Sequence, residues 1–414
     1  MSVVGNSVFM IGWEYPPHNS GGLGVACQGM TEALAGQNTQ IYFTLPHKQF
    51  GSVSHMSILE CADPAWFAAG TISTHPPFLA YTADKRTPQS LEEVVFDRHH
   101  LNALPQSELE SKVDRYAELV TQKGKALQQQ YDVIHAHDWM SFPAAMSLAD
   151  ATKKPFIAHV HSTEMDRIPS GYGSDYIMST EYQGMMAADR VIAVSYYTKQ
   201  LLVHKYRIDP NKIYVVHNGI NPLSVAPDAG RHHFASQRPV IVFMGRLTMQ
   251  KGADYFLQLA RAVLAEIPEA LFVVAGSGDM YHQLLLQNAG QGLSANVLFS
   301  GFVRDTQQQI LLDRADLFVM PSVSEPFGLV ALEAAQRKTP VIVSSNSGVS
   351  EVLPNSVVAD FWDIDKMKSE IIRLLTKPDE YQSTVNQQLA DLKPLTWAST
   401  AQKIRAVYAK TGQK

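Results

Sequence analysis

Cysteine is scarce in this chain. Cys27 and Cys61 are the only two, and they are spaced neither as metal ligands nor as a disulfide framework, so they read as reduced, packed thiols. No apolar run reaches the length of a membrane span, and no basic segment precedes the short VFMIG stretch near the N-terminus. A membrane anchor and a secretory leader are therefore not expected, and the cytoplasm is the expected compartment. Excess basic charge is lacking too: 34 Lys and Arg against 39 Asp and Glu leave a net −5 without any run of cations, which argues against a nucleic-acid partner. What is abundant is apolar residues, 45% of 414, enough for two or three domains with full cores. Small-molecule chemistry fits that balance.

Short apolar runs recur between longer helix-like stretches at 7–12, 41–45, 133–137, 156–161, 190–194 and 213–217. Such alternation predicts a parallel sheet with crossover helices. From Asn221 to about Pro239 the chain is rich in Pro, Asp, Gly and His without periodicity, as a linker would be, and the alternation then restarts at 240–244, 271–275, 297–300, 317–320 and 341–344. The expected fold class is α/β, two Rossmann-like, doubly wound parallel-sheet domains facing across a cleft that gathers strand C-termini and helix N-termini. The expected division is 1–221 for the N-terminal domain, 222–239 for the linker, 240–395 for the C-terminal domain, and 396–414 for a final helix returning to the first domain. The segment from about Asp63 to Pro105 has weak periodicity and reads as irregular.

The string SEPFGLVALEA places Glu325 on a strand-to-helix loop and Glu333 about a turn inside the helix, eight residues apart. Two carboxylates can thus approach one ligand from different sides, while Phe327, Gly328 and Leu329 offer backbone N–H groups at the helix start. Another strand end, GRLTMQKG, delivers Arg246 and Lys251 ahead of a helix. Departure of a nucleoside diphosphate develops negative charge, and fixed cations stabilise that charge more in the transition state than in the ground state. Surface cations and glutamates are common on any solvated helix; the neighbouring motifs single these out. At the first strand end, WEYPPHNSGGLG puts Gly21, Gly22 and Gly24 at a helix mouth, but Cys27 takes the third glycine position of a dinucleotide fingerprint and no acid lies near Thr44 to meet a ribose, which disfavours a nicotinamide dehydrogenase. His161 ends FIAHVH, placed to hydrogen-bond a sugar hydroxyl, and HAHDWM brings Asp138 beside Trp139, a carboxylate and an aromatic plate suited to an acceptor sugar. His135 and His137 alternate on one strand face and read as packed residues rather than metal ligands, and Asp363 and Asp365 read as a helix cap rather than a cation site.

Taken together, GGLG, HAHDW, His161, HNGIN at 217–221, GRLTMQKG, AGSGD at 275–279 and SEPFGLVALEA resemble the retaining GT-B glycosyltransferases of the GT4/GT5 type, over almost the whole chain. Within that group GWEYPPHNSGGLG and HDW look most like glycogen and starch synthase-like enzymes. The resemblance implies transfer of a hexose, glucose from ADP-glucose or UDP-glucose, to a carbohydrate acceptor, with neither metal nor bound cofactor required. It assigns Arg246 and Lys251 to the diphosphate, Glu333 to the ribose hydroxyls, and Glu325 with the backbone of Phe327, Gly328 and Leu329 to the donor sugar. His161 would meet the 6-hydroxyl side. Asn218 would contact the donor region, Gly22 would let a loop close over phosphate, Gly276 and Gly278 would line the nucleotide side, and Asp138 would lie toward the sugar or acceptor. The chain departs from the pattern at Ser20, where bacterial glycogen-type synthases usually carry Lys, at Asn221 in place of Asp, and at Ser347-Gly348 in place of a double glycine. Alternatives are a GT4 transferase of another sugar to a cell-surface glycan or small acceptor, a sugar-nucleotide epimerase, and a non-catalytic glucan-binding protein.

Overall fold

The run SVFMI becomes strand β1 (Ser7–Ile11), and its neighbours in the sheet are equally apolar because helices cover both faces. The computed structural model describes residues 6–17, 21–47, 53–63, 106–169, 173–223 and 238–411, which form two compact units. Unit 1 comprises Met1–Glu164, Gly173–Gly219 and Thr396–Lys414, and unit 2 comprises Met165–Tyr172 and Ile220–Leu395. The irregular segment read at 63–105, apart from Asp63, and most of the linker read at 222–239 lie outside the described residues.

In unit 1, β1 is followed by α1 (Gly22–Gly36), β2 (Gln40–Leu45), β3 (Ser57–Glu60), α2 (Gln106–Ala126), β4 (Val133–His137) and α3 (Phe142–Thr152). Then come β5 (Phe156–Val160), the single turn α4 (Glu164–Arg167), which leads into unit 2, α5 (Asp175–Ala187), β6 (Arg190–Ala193), α6 (Tyr196–His204) and β7 (Ile213–Val215). The sheet order is β3-β2-β1-β4-β5-β6-β7, every pair parallel. Unit 2 repeats the plan with β8 (Val240–Met244), α7 (Ala253–Leu264), β9 (Leu271–Ala275), α8 (Tyr281–Gly290), β10 (Val297–Gly301), α9 (Asp305–Arg314) and β11 (Leu317–Met320). It continues with α10 (Leu329–Gln336), β12 (Val341–Ser344), β13 (Val357–Ala359), α11 (Ile364–Thr376) and α12 (Pro378–Leu392), in sheet order β10-β9-β8-β11-β12-β13.

The two doubly wound sheets expected from the alternation are present. Strands β3 and β13 escaped the sequence reading because SILE is half-exposed and VVA is three residues long; both are edge strands, where burial imposes little pattern. The last helix, α13 (Trp397–Thr411), packs on unit 1 beside α1. A Cβ added to Gly29 of α1 would lie 2.2 Å from the Trp397 ring, so the missing side chain is the seat of that indole.

Candidate donor site

In both sheets the order reverses at a central strand pair, β1/β4 and β8/β11, and ligands of open α/β sheets bind beyond the strand C-termini at such a reversal. Unit 2 places Arg246 and Lys251 just after β8, and Glu325 just after β11, so all three belong to its reversal point. Lys251 ends a 3-10 turn, Met249–Lys251, and Gly252 follows with φ 69 as the residue that starts α7. A Cβ on Gly252 would sit 1.9 Å from the Pro321 carbonyl oxygen. Glycine is thus required both by the left-handed backbone and by the approach of the β8 loop to the β11 loop. That approach delivers Lys251 Nζ to within 2.6 Å of Glu325 Oε2, where Ser322 Oγ also donates at 3.3 Å. Glu325 is held further by its own backbone, whose N–H donates to Asn346 O and whose carbonyl accepts from Gly348 N–H. The pair is mostly buried, its side chains 19% and 7% exposed, and Arg246 is half-buried close by in sequence.

Gly276 plays the same part on the β9 side. Its φ is 146 and a Cβ would meet the Gly245 carbonyl oxygen at 1.8 Å, while Gly278 lies under the Leu247 carbonyl. The loops after β8 and β9 therefore run backbone against backbone, joined by Leu247 N–H to Ser277 O at 2.8 Å. Phe327 is buried, Gly328 is the left-handed residue before α10, and Leu329 opens that helix, whose first-turn N–H groups have no acceptor within the helix itself. Phosphate oxygens and sugar hydroxyls are the ligands such donors take.

Glu333 sits on α10, half-buried, and burial pushes its carboxyl up from 4.5 to about 7 against the pull of a Gln308 hydrogen bond and the Arg337 charge. Gln308 Nε2, from α9, donates to Glu333 Oε2. Arg337, one turn farther along, instead bonds both oxygens of Asp313 at 2.8 and 2.7 Å.

The remaining sequence-derived residues belong to unit 1. Gly22 begins α1 and is exposed; the adjoining Gly21 N–H donates to Glu14 Oε1 at 3.0 Å. Asn218 is buried, next to His217 whose carbonyl accepts from Thr400 of α13. His161 stacks on His159 at 4.1 Å, and its Nε2 lies 3.1 Å from His137 Nδ1. It extends a ladder in which His135 Nε2 meets His159 Nδ1 at 3.0 Å and His135 Nδ1 meets the Tyr408 hydroxyl at 2.7 Å. Burial holds His135 and His161 down to about 3, and His137 and His159 also well below the ordinary histidine range, so the ladder is neutral at neutral pH.

Two acceptor-side expectations need correction. Trp139 is completely buried, packed edge-on against Tyr176 at 5.9 Å, and has no face to offer a sugar. Asp138 is only 3% exposed and turned inward, with Oδ1 accepting from the His161 N–H at 2.7 Å and the Ser162 N–H at 3.4 Å. It shapes the loop that carries His161. Asp363, read as a cap, does accept from the Lys366 N–H at 3.0 Å at the start of α11.

Two family models divide the chain between them: one described as Glycosyltransferase Family 4 matches residues 76–222, and one described as Glycosyl transferases group 1 matches residues 227–389. The chain is a GT4-type glycosyltransferase. An uncharacterized glycosyltransferase of Methanocaldococcus jannaschii is 29% identical over 389 residues, covering 88% of this chain and 89% of that protein. A glycogen synthase of Mycobacterium tuberculosis is 28% identical over 362 residues, covering 84% and 80%. A sucrose-phosphate synthase from Thermosynechococcus elongatus superposes with a TM-score of 0.73 over 98% of each chain at 18% identity, a likeness of fold, the GT-B fold.

Within this glycosyltransferase the sequence reading missed Ser322, Gln308 and Asp313. Nothing marks them in the sequence: Gln308 is the middle residue of a polar QQQ run, and its partner lies 25 residues away. The buried Asp166, which accepts from Ser324 Oγ at 2.6 Å, was equally unmarked.

Proposed function

We propose that this glycosyltransferase is a retaining hexosyltransferase that moves glucose from ADP-glucose or UDP-glucose to a carbohydrate acceptor, without metal or bound cofactor. The observation that carries this reading is the Lys251–Glu325 pair at 2.6 Å, set at the strand-order reversal of unit 2 and at the threshold of α10. An ammonium has three donors, and one of them is committed to Glu325. The others, with the Arg246 guanidinium, are assigned to the diphosphate. Glu325 and the backbone of Phe327, Gly328 and Leu329 are assigned to the donor sugar, Glu333 to the ribose, and the Gly276 and Gly278 backbone to the nucleotide. In unit 1 we assign His161 to a sugar hydroxyl, the neutral imidazole serving as either donor or acceptor. The glycogen synthase relative favours glucose and a glucan acceptor.

With Glu325 tied to Lys251, we assign no carboxylate as a covalent nucleophile. The acceptor oxygen bonds to the anomeric carbon on the face from which diphosphate departs. The carbon–diphosphate bond breaks, the electron pair leaves with the phosphate oxygen, and that oxygen takes the acceptor proton. The fixed cations lower this barrier because the charge they meet is greatest as the bond breaks. Among the described residues no helix is long and apolar enough to cross a membrane, and the free, buried Cys27 and Cys61 suit the reducing cytoplasm in which we place the reaction.

A thermal-shift screen of ADP-, UDP- and GDP-sugars, followed by NMR of the first product formed, tests the reading. Selective stabilisation by one glucose donor and an α-linked product are expected. An inverted product would end the front-face mechanism, and epimer formation from donor alone would replace transfer with isomerisation.

A further inference from the structure

Helix α9 meets α10 and its C-terminal capping residue through two polar contacts, and the partners are not the obvious ones. Glu333 of α10 and Arg337, the residue that caps the C-terminal end of that helix, lie four residues apart, a spacing at which a carboxylate and a guanidinium commonly pair. A bidentate pair would occupy both Glu333 oxygens. Instead Asp313 of α9 takes the Arg337 guanidinium with both of its oxygens, and Arg337 is buried in that contact. Glu333 receives from α9 only one neutral donor, Gln308 Nε2 on its Oε2. A carboxylate has about four acceptor positions. Asp313 diverts the cation, and Gln308 orients the anion while leaving most of its accepting capacity unspent. The high carboxyl pKa of Glu333 reflects the same shortage of compensation.

Resting on the assignment of Glu333 to the donor ribose, we propose that Gln308 is a positioning residue for nucleoside recognition: it pins Oε2 so that the Glu333 carboxylate is presented to the paired hydroxyls of a ribose, and it thereby sets selectivity for ribo- over deoxyribonucleotides. Gln308 touches the carboxylate and not the ligand, so its loss frees the carboxylate to rotate without removing it.

The test is calorimetric binding of ADP against 2′-deoxy-ADP, and of UDP against 2′-deoxy-UDP, at pH 8.5, for the wild-type protein, Gln308→Met and Glu333→Gln. The wild type is expected to prefer the ribo form of the base it accepts by on the order of tenfold or more, as for hydrogen bonds to a charged group. Gln308→Met is expected to shrink that preference to about two- or threefold, chiefly through the ribonucleotide, with deoxynucleotide affinity little changed, as hydrogen bonds to an unfixed carboxylate weaken. Equal loss of both nucleotides would mark a merely structural role and overturn the proposal. If Glu333→Gln abolishes the preference but Gln308→Met leaves it intact, the positioning role is wrong and the ribose assignment stands. If neither variant changes it, or the wild type shows no preference, the Glu333 assignment fails and this inference falls with it.

Discussion

Replacing Glu333 with Gln should make the protein more stable and less able to bind nucleotide, and the stabilisation should depend on pH. The carboxyl ionises at about 7 in the folded chain against an ordinary 4.5, because burial disfavours the anion more than Gln308 and Arg337 favour it. A raised acid pKa means that the folded state holds its proton more tightly than the unfolded chain. Stability is therefore greatest below pH 4.5, declines as pH rises towards 7, and is level above that. The shift corresponds to about 3 kcal/mol at alkaline pH, and partial exposure of the side chain trims it to about 2–3 kcal/mol. Glutamine keeps the shape and never ionises. Its advantage over wild type should grow by about 2 kcal/mol between pH 5.5 and 8.5, a difference of roughly 4–8 °C in the melting temperature of a domain of this size. Urea denaturation of both proteins at the two pH values measures it, and comparing the proteins at each pH removes every titration they share. An advantage that does not change with pH would refute the premise that a desolvated carboxylate is held at this site at the expense of the fold.

Lys251→Ala should lower turnover about 100-fold, the scale for loss of one electrostatic donor, and should also destabilise the fold by stranding Glu325. In the double variant Lys251→Ala, Glu325→Gln, urea midpoints should recover while turnover stays low; recovery of turnover would remove the leaving-group role. The histidine ladder predicts acid sensitivity in unit 1. His135, His137, His159 and His161 have folded pKa values below the ordinary 6.5, so their contribution is complete above pH 6.5 and is lost as the pH falls towards the folded values. The loss is about 1.4 kcal/mol per histidine at pH 5.5, and a flat stability profile from pH 7 to 5 would contradict it. Trp397→Ala should destabilise unit 1 by about 3–5 kcal/mol through the cavity left against Gly29, read by thermal melting, and a loss under 1 kcal/mol would mean that the indole is not part of the core.

The two parallel sheets were legible in the sequence because a strand buried on both faces must be a short apolar run, and the runs around Val8, Val242 and Phe318 declare themselves without their neighbours. The donor-side residues Arg246, Lys251 and Glu325 were legible for a related reason: strand-end loops in such sheets point to one edge, so polar residues just after a strand are delivered to it. Tertiary structure alone decided what those residues touch. It turned Trp139 into the core and Asp138 towards the His161 backbone, because a strand-end side chain has the choice of ligand, loop or interior, and local sequence does not discriminate among them. It gave Arg337 to Asp313 and Gln308 to Glu333, where sequence spacing alone would have paired Glu333 with Arg337. Periodicity records which face of an element is buried; the partner on the other side of a contact is chosen by packing between segments far apart in the chain, and the chemistry of the site depends on that choice.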